Sequence, residues 1–221
     1  MEVSPAGILT MWSAGLSAGL AVVAARRIVR RGYVWLAAGT TALFGLFAAV
    51  AGSSWWAYAA CAFVVTAALL AGHTPSVLAC GALGMVAFTI ASVEAGSPVA
   101  LAVTGAVALG AITTEMMLGH WYLVDPRLPR SVLRVLALAG VAGIGADMIF
   151  SAAAGAASWG DTQMVLGWGW LALGVTSALL MVMVYAALGE RGYAGVMAAT
   201  GLSYLAVLTS TGAVVLGRLL A

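Results

Sequence analysis

Stretches of about twenty mostly apolar residues, separated by short turns, recur along the whole chain, and this repeat limits the fold more than any other feature. A helix needs about 20 such residues to cross the hydrocarbon core of a bilayer, with a range of roughly 17 to 25. Inside that core only helices and closed barrels satisfy their own backbone hydrogen bonds. Breaks at Gly, Pro, Ser and charge clusters divide the sequence into eight predicted spans: 6–25, 33–52, 55–72, 77–93, 98–122, 131–153, 164–188 and 193–216. The expected fold is an all-α polytopic transmembrane bundle of about eight spans, a single integral membrane domain over residues 1–221. No predicted loop is long enough to hold a soluble catalytic domain.

Composition leads to the same place. Of 221 residues, 64% are apolar and 7% charged, where a soluble domain carries about a quarter charged residues. A water-facing surface could not be covered, which excludes a cytosolic enzyme and a secreted domain. The net charge of +2 comes from nine arginines, mostly at span ends, and not from a basic face of the kind that reads nucleic acid. There is no lysine, so a lysine Schiff base, a P-loop lysine and a Ser-Lys dyad are excluded. Cys61 and Cys80 lie in apolar runs outside any CxxC or CxxCH and read as small packing residues.

The arginines orient the chain. Glu2 precedes the first apolar run, and Arg26, Arg27, Arg30 and Arg31 follow it, the reverse of a secretory signal. Arg127, Arg130 and Arg134 fall at the fifth predicted loop and Arg191 at the seventh, so eight of nine basic residues sit at odd-numbered loops. Only Arg218, at the C-terminal end, falls on the other side. By the positive-inside rule both termini are expected outside, in a bacterial inner membrane. Ala, Gly and Arg usage without Lys points to a GC-rich genome. Trp12, Trp35, Trp55, Trp56, Trp121 and Trp159 fall near predicted span ends, as an interfacial aromatic belt requires, whereas Trp168 and Trp170 fall deeper.

A weak internal repeat is visible. Gly72 through Gly84 can be laid without gaps on Gly189 through Gly201, and the arginine turn 26–31 corresponds to 127–134. This suggests pseudo-repeat halves, 1–97 and 98–221, in a parallel four-plus-four arrangement. Small residues line several faces, among them Gly15 with Gly19, Gly105 with Gly110, and Gly140, Gly143 and Ala146. Lipid offers no hydrophobic drive between helices, so close backbone approach through such faces supplies the packing.

Ionisable groups inside a membrane are expensive, by about 2.5 to 3.5 kcal/mol at a helix centre on insertion scales, and are functional candidates by default. Glu115 and Asp147 fall clearly within predicted spans. Burial favours the neutral form of a carboxyl, which makes each a candidate proton carrier, or else a hydrogen-bonded packing group. Glu115 lies in the densest polar and aromatic run, Thr113-Thr114-Glu115 through His120-Trp121-Tyr122. His73 and His120 are both expected at the inner face. At about 100° per residue, Glu115 points roughly 140° away from His120, so the two cannot form an intrahelical metal pair.

Three functional readings compete. In the first, His120, with Glu115, His73 and Tyr122, lines a quinone-headgroup site of a subunit linked to electron transfer. A variant has His73 and His120 ligate one haem b. In the second, the chain is a small proton-coupled transporter or channel, with Glu115 and Asp147 at alternate ends of a polar path and the two halves as moving parts. Its spans carry few polar residues beyond Ser and Thr, so a charged or sugar-like solute would lack partners, which leaves a proton-coupled or apolar cargo. In the third, it is a noncatalytic accessory subunit that packs beside other membrane proteins. In span count alone, the layout of two four-helix halves resembles the quinol-oxidising membrane subunits of polysulfide-reductase type, which favours the first reading.

Overall fold

A computed structural model describes residues 4–28, 31–52, 54–122, 124–126, 128–160, 163–190 and 192–221. Glu2, Arg30, Arg127 and Arg191, used above for orientation, lie outside the described residues. Eight helices follow in order: α1 (Pro5–Ala25), α2 (Arg31–Gly52), α3 (Trp55–Leu69), α4 (Thr74–Glu94), α5 (Val99–Trp121), α6 (Arg130–Ser151), α7 (Met164–Ala187) and α8 (Tyr193–Leu220). Seven are long and apolar enough to cross a membrane. The chain is a multi-pass, all-α membrane bundle.

The starts and stops of these helices have local causes. Pro5 and Pro75 occupy the first turns of α1 and α4, where a missing N–H leaves no bond unmade and a fixed φ suits the helix. The α7–α8 turn closes on Gly192 at φ 95°, a conformation that glycine adopts without a Cβ penalty. The extension of α6 is a π-helical turn, Ala152–Ala156, broken by Gly155 at φ 119°.

Three boundaries differ from expectation, the first being the start of α4, at Thr74 where 77 was expected. α3 has 15 residues, about 22 Å of helix, and stops at Leu69 because the turn into Pro75 takes up the residues expected as its last turn. It still connects the two faces: Ser54 before its start bonds the Glu94 carboxylate at the end of α4, and Trp35 in the first turns of α2 donates to Ala68 near its end. α8 runs a turn past the expected residue 216 and carries Arg218 within it.

Helices α1 to α4 form a ring in which α1 touches α2 and α4, and α3 touches the same two. Helices α5 to α8 form a second ring in the same order, with α5 touching α6 and α8, and α7 closing it. The rings join mainly along α1 and α5, the two most buried helices. Gly15 faces Gly110 and Gly19 faces Thr114, so α1 and α5 run parallel. A Cβ on Gly15 would stand 2.0 Å from the Ala106 carbonyl oxygen, which shows how closely the backbones meet. Gly143 of α6 packs likewise on the backbone at Ala108, and Gly119 of α5 on Thr200 of α8. Small faces thus supply the packing that lipid cannot drive.

The turns α1–α2, α3–α4, α5–α6 and α7–α8 share one end of the bundle, called here the arginine-rich face. Trp35 and Trp55 are exposed at the ends, as a belt requires. Trp12 is not part of that belt: it turns inward, donates to Thr113 Oγ1 at 2.9 Å and packs edge-on against Phe44. Trp168 and Trp170 also differ from expectation. They stand in the first two turns of α7 beside Trp159, at the opposite face, Trp168 exposed and Trp170 buried against the bundle.

Candidate functional site

Both intramembrane carboxyls lie in the second ring. Glu115 is on the fifth turn of α5, toward the arginine-rich face, and is 0% exposed. Gly119, one turn later, lets α8 approach against Thr200, and this brings Ser203 of α8 to Glu115. Ser203 Oγ and Glu115 Oε2 share a hydrogen bond, while Ser203 Oγ also lies 2.9 Å from the Ala199 carbonyl oxygen. Glu115 Oε1 is buried without a hydrogen-bond partner, and no cation among the described residues pairs with this carboxyl.

Asp147 is on α6 near the opposite face and is 1% exposed. Its surroundings are of another kind. Arg218, 5% exposed, reaches in from the last turn of α8 and holds both carboxylate oxygens, Nη2 to Oδ1 at 2.6 Å and Nη1 to Oδ2 at 3.2 Å. Thr104 Oγ1 donates to Oδ1 at 2.9 Å. The guanidinium donates further to Ser151 Oγ at 2.9 Å and to the Leu101 carbonyl at 2.8 Å, and touches Met11 Sδ. One network therefore ties α1, α5, α6 and α8. Arg218, counted in the sequence only as a charge at the C-terminal end, is a buried counter-ion, because Asp147 offers it a partner inside the bundle.

Between the two carboxyls, Ala108, Ile144 and Ala213 pack into a small apolar cluster, flanked by Leu173 and Ala178. In this conformation apolar side chains stand between Glu115 and Asp147.

The residues expected around a quinone headgroup lie in separate places. His120 is exposed on the last turn of α5, turned away from the buried Glu115 of the same helix, as the 100° period requires. Tyr122 is buried at the end of α5, its ring 6.4 Å from that of Tyr193 and 6.0 Å from the Arg130 guanidinium carbon. His73 precedes α4 in the first ring, with Nδ1 2.7 Å from Ser76 Oγ. The pocket around His73 is built from Arg31, Trp35 and residues 69–72, with no contribution from α5. No three of His, Cys, Asp and Glu among the described residues are grouped as a metal site.

Beside the α1–α5 seam runs a groove of about 450 Å³, walled by α4 and α6 and open sideways. Its walls include Ala18, Val22, Val86, Ile90, Val107 and Leu136, with Thr89 the one polar side chain. That hydroxyl already donates to the Met85 carbonyl.

Sequence reasoning missed Ser203 and Arg218. A serine stripe on α8, Ser203 and Ser210 at a seven-residue spacing, was a signal for the first. An arginine at the end of an apolar run was the signal for the second. Compared with known proteins, the chain matches no family model, no curated protein and no solved structure.

Proposed function

We propose that this chain is a small proton-coupled transporter of the bacterial inner membrane, with the arginine-rich face cytoplasmic and Glu115 as the group that takes up and releases the proton. The observation that carries the reading is the burial of Glu115 with one oxygen unpartnered and no counter-ion among the described residues. Ser203 has one hydroxyl proton and two oxygen neighbours, Glu115 Oε2 and the Ala199 carbonyl. If Ser203 donates to Ala199, the second contact needs a proton on Glu115, and a neutral carboxyl provides it. A charged carboxyl at the same place would be buried without a counter-ion, which is strongly unfavourable.

Two further features support transport. The chain folds as two rings that meet mainly along one helix pair, a division suited to relative motion of halves. The groove beside that seam faces sideways and is walled almost wholly by carbon, which suits an apolar cargo arriving from the bilayer. Asp147, with its permanent partner Arg218, fits a fixed charge that holds the opposite face closed better than a second proton carrier.

In proteoliposomes of the purified chain, a potassium diffusion potential set with valinomycin should drive proton uptake, reported by an entrapped pH dye. Glu115→Gln should abolish it while leaving expression and reconstitution normal. Equal flux through wild type and Glu115→Gln would sink the proposal.

The quinone-linked reading draws on the same groove, whose carbon walls suit an isoprenoid tail. It requires His120→Ala and Glu115→Gln each to weaken quinone binding, and its haem b variant requires a b-type α band in the dithionite-reduced protein. The accessory-subunit reading requires partner subunits to copurify with the untagged chain.

A further inference from the structure

At the arginine-rich face of the second ring, a pocket of about 500 Å³ opens between α6 and the α7–α8 turn. Arg130, Ser131, Arg134 and Tyr185 form its polar part, and Val135 and Leu138 its apolar part. Ser131, Arg134, Val135 and Leu138 lie on one stripe of α6 at helical spacing. Leu138 is about 10 Å deeper along the axis than Ser131. The stripe therefore passes from hydroxyl and guanidinium groups to exposed aliphatic surface over the depth separating a lipid phosphate from its first acyl carbons.

Both cations are positioned, and neither forms an ion pair with a carboxylate among the described residues. Arg130 is held by backbone carbonyls, Nη1 to Glu190 O at 2.5 Å and Nη2 to Gly192 O at 2.6 Å. Arg134 stacks its guanidinium 5.4 Å from the Tyr185 ring centre, and its Nε is buried with no hydrogen-bond partner among the described residues. Gly189 backs that guanidinium at a distance a side chain would close. Glu190 also lines the pocket, so among its described residues two guanidiniums stand against one carboxylate, and the balance favours an anion.

We propose that this pocket binds the phosphate of an anionic phospholipid, with the acyl chains descending along Val135 and Leu138. Basic pockets between helices at a membrane face are suited to such headgroups, and Arg with a hydroxyl provides charge-assisted donors for phosphate oxygens. The first ring supplies an internal control. Its corresponding pocket, between α2 and the α3–α4 turn, has Arg31 backed by Gly72, as Arg134 is backed by Gly189, with Trp35 one turn later on α2. Among the described residues it has one guanidinium in place of two.

The test uses the full chain in an uncharged maltoside detergent, with Tm measured on adding dioleoylphosphatidylglycerol, dioleoylphosphatidylcholine or inorganic phosphate. At ten times its Kd, phosphatidylglycerol should raise Tm by about 3–6 °C, and phosphatidylcholine and phosphate should not. Arg134→Gln should remove the shift, Arg134→Lys should retain most of it, and Arg31→Gln should leave it intact. Equal shifts with phosphatidylcholine, an equal shift with phosphate alone, or a full shift in Arg134→Gln would each overturn the proposal. If Arg134→Gln does not fold, native mass spectrometry of wild type from mixed micelles decides: preferential retention of phosphatidylglycerol supports the site, and equal retention of both lipids overturns it.

Discussion

Asp147 and Glu115 are carried into the same four-helix ring, one toward each face, and they meet opposite solutions to one electrostatic problem. Asp147 is compensated by a cation, a hydroxyl and the wider network of Arg218, which draws on four helices. Glu115 has one serine and an unpartnered oxygen. A charge in a low-dielectric interior is tolerable when paired and hydrogen-bonded, and otherwise the group is better neutral. The first arrangement holds a charge with a partner, and the second is the one that suits the proton carrier proposed here. The difference teaches that burial alone does not identify a proton carrier; the partners decide.

The largest effect should come from breaking the locked site. Arg218→Met leaves Asp147 without its counter-ion and should cost about 3–5 kcal/mol, the usual penalty for orphaning a buried charge, read as loss of stability in denaturant titrations of the detergent-solubilised protein. Adding Asp147→Leu should restore most of that loss, since an apolar pair of similar volume leaves no charge behind. Failure of the double variant to recover would show that the network, and not the charge balance, holds the four helices.

A much smaller effect is expected at the other carboxyl. Ser203→Ala removes one interhelical hydrogen bond, for which double-mutant cycles in a membrane bundle average about 0.6 kcal/mol. With Glu115 protonated as proposed, Glu115→Gln should cost no more than that, because a neutral amide then replaces a neutral acid of the same shape. If either variant destabilised the protein as much as Arg218→Met, Glu115 would have to be charged in the folded state, and the contrast between the two sites would collapse. Unfolding titrations of both variants beside wild type make the comparison directly.

The apolar stretches, the approximate ends of α1, α2, α5, α6 and α7 and the small faces at Gly15, Gly19, Gly110 and Gly143 were legible in the sequence, because hydropathy and helical spacing act over neighbouring residues. The divergence of Glu115 and His120 was legible for the same reason, since both ride on one helix. The direction of Trp12 was not, because its partner Thr113 lies on another helix. The end of α8 was misjudged through Arg218: a charge interrupts hydropathy, and only its distant carboxylate shows that it belongs inside.

What the sequence determined by itself is a helical membrane protein with two candidate carboxyls, since the number of apolar residues in a row decides whether backbone can lie in lipid. Tertiary structure alone decided which carboxyl is paired. Asp147 meets a cation 71 residues away and Glu115 a serine 88 residues away. The energy of a charge depends on what stands within a few ångströms of it, and that is set by which helix faces meet, not by order along the chain.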